Sequence, residues 1–261
     1  MKRINKMKNA LKDGKLVLGT CIDSYSPAAV ETAGLSGLDF VRIDTEYSWR
    51  RDDTLEHMIR AAVIAEVTPM IRVEKGNPYL ISKVLQIGAG AILVSDIASV
   101  QEAMDVVNAA KFPPKGYRGM SGFSFSGGWG ARSGPDWIEW SNTEILVGVM
   151  IENKEIVEQI DGVFAIEGLD YCLFGPSDYS MSIGLGSPQK NHPQVQEAIK
   201  KTVEAATKYG KAVAIGIGQP WDQEAQKYVD MGCRILELGH ELGLLRSIWS
   251  SAASTIRQKI G

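Results

Sequence analysis

The chain has 261 residues, 44% hydrophobic and 23% charged, which suits one large α/β domain or two small ones. Its net charge is −3 and no long run carries one sign, so neither nucleic acid nor a membrane surface is indicated as a partner. Cys21, Cys172 and Cys233 are scattered in apolar context and read as small core residues in a reducing compartment, by default the cytoplasm.

The N-terminal stretch MKRINKMKNALKDGK is basic but has no apolar core of signal-peptide length. Its Ile4, Met7 and Leu11 suit a short amphipathic helix. No apolar run approaches the ~20 residues of a membrane span. Short apolar, β-branched runs then recur at Leu16–Ile22, Phe40–Asp44, Pro69–Val73, Ala91–Ser95, Ile145–Glu152, Tyr171–Gly175, Ala212–Gly218 and Arg234–Gly239. Helical patterns lie between them at Pro27–Leu35, Thr54–Ala65, Pro78–Gln86, Val100–Ala110, Lys154–Ile160, Pro193–Tyr209 and Asp222–Met231, and another runs from Leu242 to Lys259. Gly34, Gly88, Gly210 and Gly232 mark helix stops. Near-continuous apolar strands are the mark of a parallel sheet buried on both faces. Eight strand–helix units in this length predict a (β/α)8 TIM barrel with an additional N-terminal helix, a single domain spanning residues 1–261. A doubly wound sheet is the alternative, but no G-x-G-x-x-G follows a strand.

In such barrels the site lies at the C-terminal ends of the strands. The second strand ends in Asp44, with Glu46 and Tyr47 just beyond; the third carries Arg72, the fourth leads to Asp96, the fifth ends in Glu152 and the sixth leads to Asp178. Glu152 and Asp178 come from neighbouring strands and can converge on one cation, since bare carboxylates that close repel. The other reading is that Glu152 caps the next helix and Asp178 closes a turn after Pro176. The planar fork of Arg72 suits a substrate carboxylate, or an ion pair with Glu74 or Asp44. No lysine lies within a strand, which leaves a Schiff-base mechanism without a nucleophile. His57 and His192 read as surface residues, and His240 alone among the histidines can reach the rim. The glycines of AIGIGQP admit a phosphate site after the seventh strand, or simply close packing.

These residues resemble the HpcH/HpaI aldolases, the metal-dependent class II aldolases that act on 2-keto acids and release pyruvate. The resemblance runs the length of the chain and rests on LVLGT, IDTE, IRVEKGNP, FPPKGYRG, MIEN, GPSDYS and NHPQVQEAI. It implies a barrel of the phosphoenolpyruvate/pyruvate type and a hexamer built from dimers that exchange the eighth helix. It implies a divalent metal ion (Mg²⁺, Mn²⁺ or Co²⁺) on Glu152 and Asp178, and a small-molecule 2-keto acid as substrate. By the same resemblance Arg72 binds pyruvate and steadies its enolate, Ser177 and Asp178 offer backbone N–H groups to the carboxylate, and Asp44 orients the base. That base is a histidine in the family, and here the position is Tyr47. Met150 stands where the family commonly has glutamine. A metal-dependent carbon–carbon lyase is therefore expected. The tyrosine keeps two others in view: a related keto-acid enzyme such as an oxaloacetate decarboxylase, and a keto-acid-binding protein without turnover.

Three further expectations concern packing. The stripe Leu245, Ile248, Trp249, Ala252, Ala253, Ile256 calls for a cover, which predicts a homo-oligomer, a dimer or hexamer. Arg42 shares strand parity with Asp44 and should point into the barrel. There it needs an acid: either Glu237 on the eighth strand, or a rim acid such as Asp44 or Glu152. The glycine-rich segment Met120–Pro135 either covers the site or makes subunit contacts.

Overall fold

The computed structural model describes residues 4–48, 53–132 and 134–260. Eight parallel strands close on themselves in sequence order: β1 (Val17–Ile22), β2 (Phe40–Asp44), β3 (Thr68–Val73), β4 (Ala91–Val94), β5 (Leu146–Ile151), β6 (Tyr171–Phe174), β7 (Ala212–Gly216) and β8 (Ile235–His240). β8 pairs with β1 as well as with β7, so no edge is left exposed. The expected (β/α)8 barrel is therefore the observed fold.

Strand alternation sorts the core into two shells. Residues of one parity fill the barrel interior, among them Val17, Phe40, Met70, Leu93, Met150, Tyr171, Leu173 and Ile235. Residues of the other parity, such as Val41, Ile71, Ile92, Val149, Cys172 and Ile215, pack outward against the helices. Helix α1 (Lys6–Lys12) begins at Asn5, whose side chain accepts from the Lys8 N–H. Met7 of α1 is fully buried and joins the interior shell, while Ile4 is exposed and takes no part in that packing.

The outer layer contains α2 (Pro27–Leu35), α3 (Thr54–Ile64), α4 (Pro78–Gln86), α5 (Val100–Ala110), α6 (Pro135–Glu144), α7 (Lys154–Glu158), α8 (Ile160–Phe164), α9 (Pro176–Ser182), α10 (Pro193–Lys208), α11 (Trp221–Met231) and α12 (Glu241–Ile260). Two of these were not anticipated, α6 before β5 and α9 after β6. Proline at the first position of each presets the helical backbone where its missing N–H costs nothing. The helix expected over Lys154–Ile160 is instead two short helices that break at Gln159. Gly34 stops nothing. It lies inside α2, where a Cβ would come within 2.7 Å of Ala65, so its smallness lets α2 and α3 approach. α2 stops further on, at Ser36 and Gly37, the latter with φ of 87°.

The segment 120–132 folds back on itself in turns. The Gly130 N–H bonds the Gly122 carbonyl at 2.8 Å, and the Ser126 N–H bonds the Gln86 carbonyl at the end of α4 at 2.9 Å. α12 differs from every other long helix: none of its residues is buried among those described.

The interior ion pair expected between Arg42 and Glu237 is present. Nε and Nη2 of Arg42 donate to the two carboxylate oxygens of Glu237, each at 2.7 Å, a two-pronged contact reaching across β1. Both residues are at most 5% exposed. Burial alone would lower the guanidinium pKa, but the facing carboxylate more than offsets this and holds Arg42 above its usual range.

Candidate active site

In the β2–β3 ladder Asp44 sits directly opposite Arg72. Parity points both into the barrel mouth, and Nη2 of Arg72 donates to Oδ2 of Asp44. The other oxygen, Oδ1, accepts from the backbone N–H groups of Glu46 at 2.8 Å and Tyr47 at 3.2 Å. Asp44 therefore holds both the arginine and the loop after its own strand. Burial alone would raise its pKa, but the Arg72 guanidinium and the two N–H groups bring it below the usual carboxylate value. Nη1 of Arg72 lies 3.4 Å from Glu46, and the guanidinium rests over the Tyr47 ring at 4.8 Å from its centroid. Of the two ion-pair partners expected for Arg72, Asp44 is the one engaged. Glu74 instead accepts from the Asn77 side chain at 2.9 Å.

Glu152 follows the last residue of β5 and is 9% exposed. Its Oε1 accepts the Asp96 backbone N–H at 2.6 Å. Asp96 presents that N–H from a left-handed backbone, φ of 54°, and its own carboxylate pairs with Lys75 at 2.9 Å. Across the β5–β6 seam lies Gly175. A Cβ there would sit 2.9 Å from the Glu152 Cβ and 3.1 Å from its Oε2, so glycine leaves the room the carboxylate occupies. Burial pushes the Glu152 pKa up to about 7; the Asp96 N–H opposes the rise, the charges of Asp178 and Glu46 add to it, and Arg72 opposes it.

Asp178 and Ser177 stand in the first turn of α9 and are exposed. Asp178 does not close a turn after Pro176; it is helical, and its charge acts on both Glu152 and Tyr47. Met150 lies two residues before Glu152 in the apolar interior, 5% exposed. Tyr47 is 79% exposed, and the neighbouring Glu46 charge, with its partial burial, raises its phenol above the usual tyrosine value.

The remaining candidates separate from this group. His57 is exposed on α3, and Nδ1 of His192 caps α10 by accepting from Gln194. His240 does reach the rim, where it pairs with Asp23. The glycines after β7 are tied internally: the Gly216 carbonyl accepts from Lys190 at 2.6 Å and the Gly218 N–H donates to Glu224. Two supports of the site were not read from sequence. The Asp96 N–H had a weak signal, since Asp96 was placed at the rim. Tyr25, whose hydroxyl donates to the Asp44 carbonyl at 2.6 Å, had none, because its position depends on how the β1 loop folds over β2.

Two carboxylates and a carboxylate-held arginine at the C-terminal mouth of a closed parallel barrel define an enzyme of the (β/α)8 class. The comparisons with known proteins narrow this. The chain belongs to the HpcH/HpaI aldolase/citrate lyase family, whose model matches residues 19–247. It is 31% identical to the 5-keto-4-deoxy-D-glucarate aldolase of Enterobacter sp. (strain 638), with 97% of each chain covered. It is 30% identical to the hydroxypyruvate/pyruvate aldolase of Delftia acidovorans, over 93% of this chain and 88% of that one. The crystal structure of an HpcH/HpaI aldolase from Desulfitobacterium hafniense superposes with a TM-score of 0.89 at 27% identity, covering 98% of both chains. The protein is a carbon–carbon lyase of the aldolase kind. The family is generally dependent on a divalent metal ion.

Proposed function

We propose that the protein cleaves a 4-hydroxy-2-keto acid to pyruvate and an aldehyde, with Glu152 and Asp178 holding Mg²⁺, Mn²⁺ or Co²⁺. The observation that carries this reading is the Asp44–Arg72 pair, locked in register on the same rim as a buried Glu152 carboxylate. The residues fit a hard cation. Both are oxygen donors, Gly175 clears space for Glu152, and desolvation leaves that carboxylate short of compensating charge. When bound there, such an ion supplies Lewis acidity that draws electron density from the 2-keto group.

The protein's own groups do the rest. Arg72, immobilised by Asp44 and Glu46, presents fixed positive charge where the departing pyruvate becomes an enolate, so little reorganisation is needed as charge develops. Ser177 and Asp178 open α9 and offer backbone N–H groups to the substrate carboxylate. Met150 floors the site with an apolar side chain. The 4-hydroxyl must also lose a proton. Tyr47, raised above the usual tyrosine value, stays protonated at neutral pH and serves as a hydrogen-bond donor, not as the base. That favours a second reading, decarboxylation of oxaloacetate, which requires no proton removal from a 4-hydroxyl.

The exposed apolar face of α12, with Leu242, Leu245, Ile248, Trp249 and Ile256, supports a homo-oligomer, a dimer or hexamer, in which another copy covers it. Three unpaired cysteines and the lack, among the described residues, of any helix long and apolar enough to cross a membrane support placement in the cytoplasm. Assay of the purified protein with each metal against a panel of 4-hydroxy-2-keto acids and oxaloacetate tests the reading. Metal-dependent pyruvate release is expected. No release from any substrate with any of the three ions would refute it.

A further inference from the structure

A second cluster of metal-ligating side chains stands at the part of the barrel mouth where β8 closes on β1. Sγ of Cys21 lies 3.2 Å from Oδ1 of Asp23, and Nδ1 of His240 lies 2.6 Å from Oδ2 of the same carboxylate. One donor atom from each of the three residues lies within 4.8 Å of the others. At the bond lengths zinc makes to sulfur, nitrogen and oxygen, the edges of a tetrahedral shell are ~3.5 Å, so shifts of about an ångström bring these atoms onto one ion.

The backbone is shaped to produce this grouping. The β1–β8 ladder runs Val17↔Ile235, Leu18↔Leu236, Gly19↔Glu237, and then slips so that Cys21 faces His240. The slip sets one extra residue on β8, and Gly239 absorbs it with φ of 89°. A bulge of this kind re-aims a side chain at a strand end. In unbroken register Gly239 would stand opposite Cys21. Asp23 is fixed independently: the Glu241 carboxylate accepts the backbone N–H groups of Asp23 at 2.9 Å and Ser24 at 2.8 Å.

We propose that Cys21, Asp23 and His240 form a second divalent-cation site, for a borderline ion of the Zn²⁺ class. It is separate from the oxygen-donor pair Glu152 and Asp178, which stands at the ends of β5 and β6. Thiolate, imidazole and carboxylate together select such an ion over Mg²⁺. Binding releases one proton, from the Cys21 thiol to solvent. On binding, the imidazole gives up the Nδ1 proton that faces the Asp23 carboxylate and carries its one proton on Nε2, so that the Nδ1 lone pair goes to the ion. Cys21 is buried, Asp23 half-buried and His240 exposed, so the fourth position opens on the solvent side of the rim.

Cobalt(II) titration of the intact, reduced protein tests this, because a thiolate bound to Co²⁺ gives an intense near-ultraviolet charge-transfer band. The band is expected in wild type at one equivalent, in Glu152→Gln as well, and it should be displaced by Zn²⁺. Cys21→Ser should abolish it, with circular dichroism confirming that the variant folds. His240→Gln, an exposed change that leaves the core intact, should weaken Co²⁺ binding by about tenfold or more. Absence of the band from folded wild-type protein in excess Co²⁺, or its survival in Cys21→Ser, overturns the site.

Discussion

Removing Glu237 tests the interior of the barrel. Glu237→Ala leaves the Arg42 guanidinium buried without its carboxylate, and Nη1 of Arg42 has no hydrogen-bond partner among the described residues to begin with. Two charge-assisted hydrogen bonds of 2.7 Å are lost. At ~1.5–3 kcal/mol each, the sum agrees with the ~3–5 kcal/mol typical of breaking a buried pair from one side. For a domain of this size, at ~2 °C per kcal/mol, that corresponds to a fall in Tm of roughly 6–10 °C. The companion variant, Arg42→Met with Glu237→Leu, removes both charges and fills the space. It should recover most of the loss, because neither desolvation penalty remains. Urea unfolding of wild type, the single variant and the double variant, followed by circular dichroism, gives all three stabilities. Loss below about 1 kcal/mol in Glu237→Ala would refute the reasoning, as would a double variant less stable than the single one.

Two further outcomes follow from the site and a third from the exposed face of α12. Tyr47→His introduces a group that titrates near neutral pH, and aldol cleavage with metal present should rise by up to ~10²–10⁴-fold; no gain across several aldehyde partners would show that the base lies elsewhere. In the metal-free protein Glu152 titrates at about 7 in the folded state, against 4.5 unfolded, so the native state binds the extra proton between those values. Stability therefore falls as pH rises through that window, and Glu152→Gln should be the more stable by about 3 kcal/mol above pH 7, with the difference vanishing near pH 4.5; a pH-independent difference between the two denaturation curves would contradict it. Replacing Trp249 and Ile248 on α12 by Glu should dissociate the oligomer while leaving the barrel folded, read by light scattering with circular dichroism; a monomeric wild type at micromolar concentration would refute the assembly.

The barrel was legible because its cause is local and repeated. Runs such as Phe40–Asp44 and Tyr171–Gly175 carry the apolar continuity of strands buried on both faces, and eight of them alternate with periodic helices. Strand parity, together with the cost of an unpaired buried guanidinium, narrowed the partners of Arg42 to Glu237 or a rim acid, and the same rim logic gathered Asp44, Arg72, Glu152 and Asp178. Other features depend on how distant segments meet. Choosing Glu237 required β2 and β8 to flank β1, and setting Asp44 against Arg72 required the register of two strands separated by a helix. The Asp96 N–H on Glu152 needed a left-handed residue that no composition signals. His240 came to face Cys21 only through a register slip at the seam where the first and last strands close. Sequence determined which residues could stand at the rim, because periodicity is a property of neighbours along the chain. Tertiary structure decided which of them touch, because contacts between strands are set by register and closure.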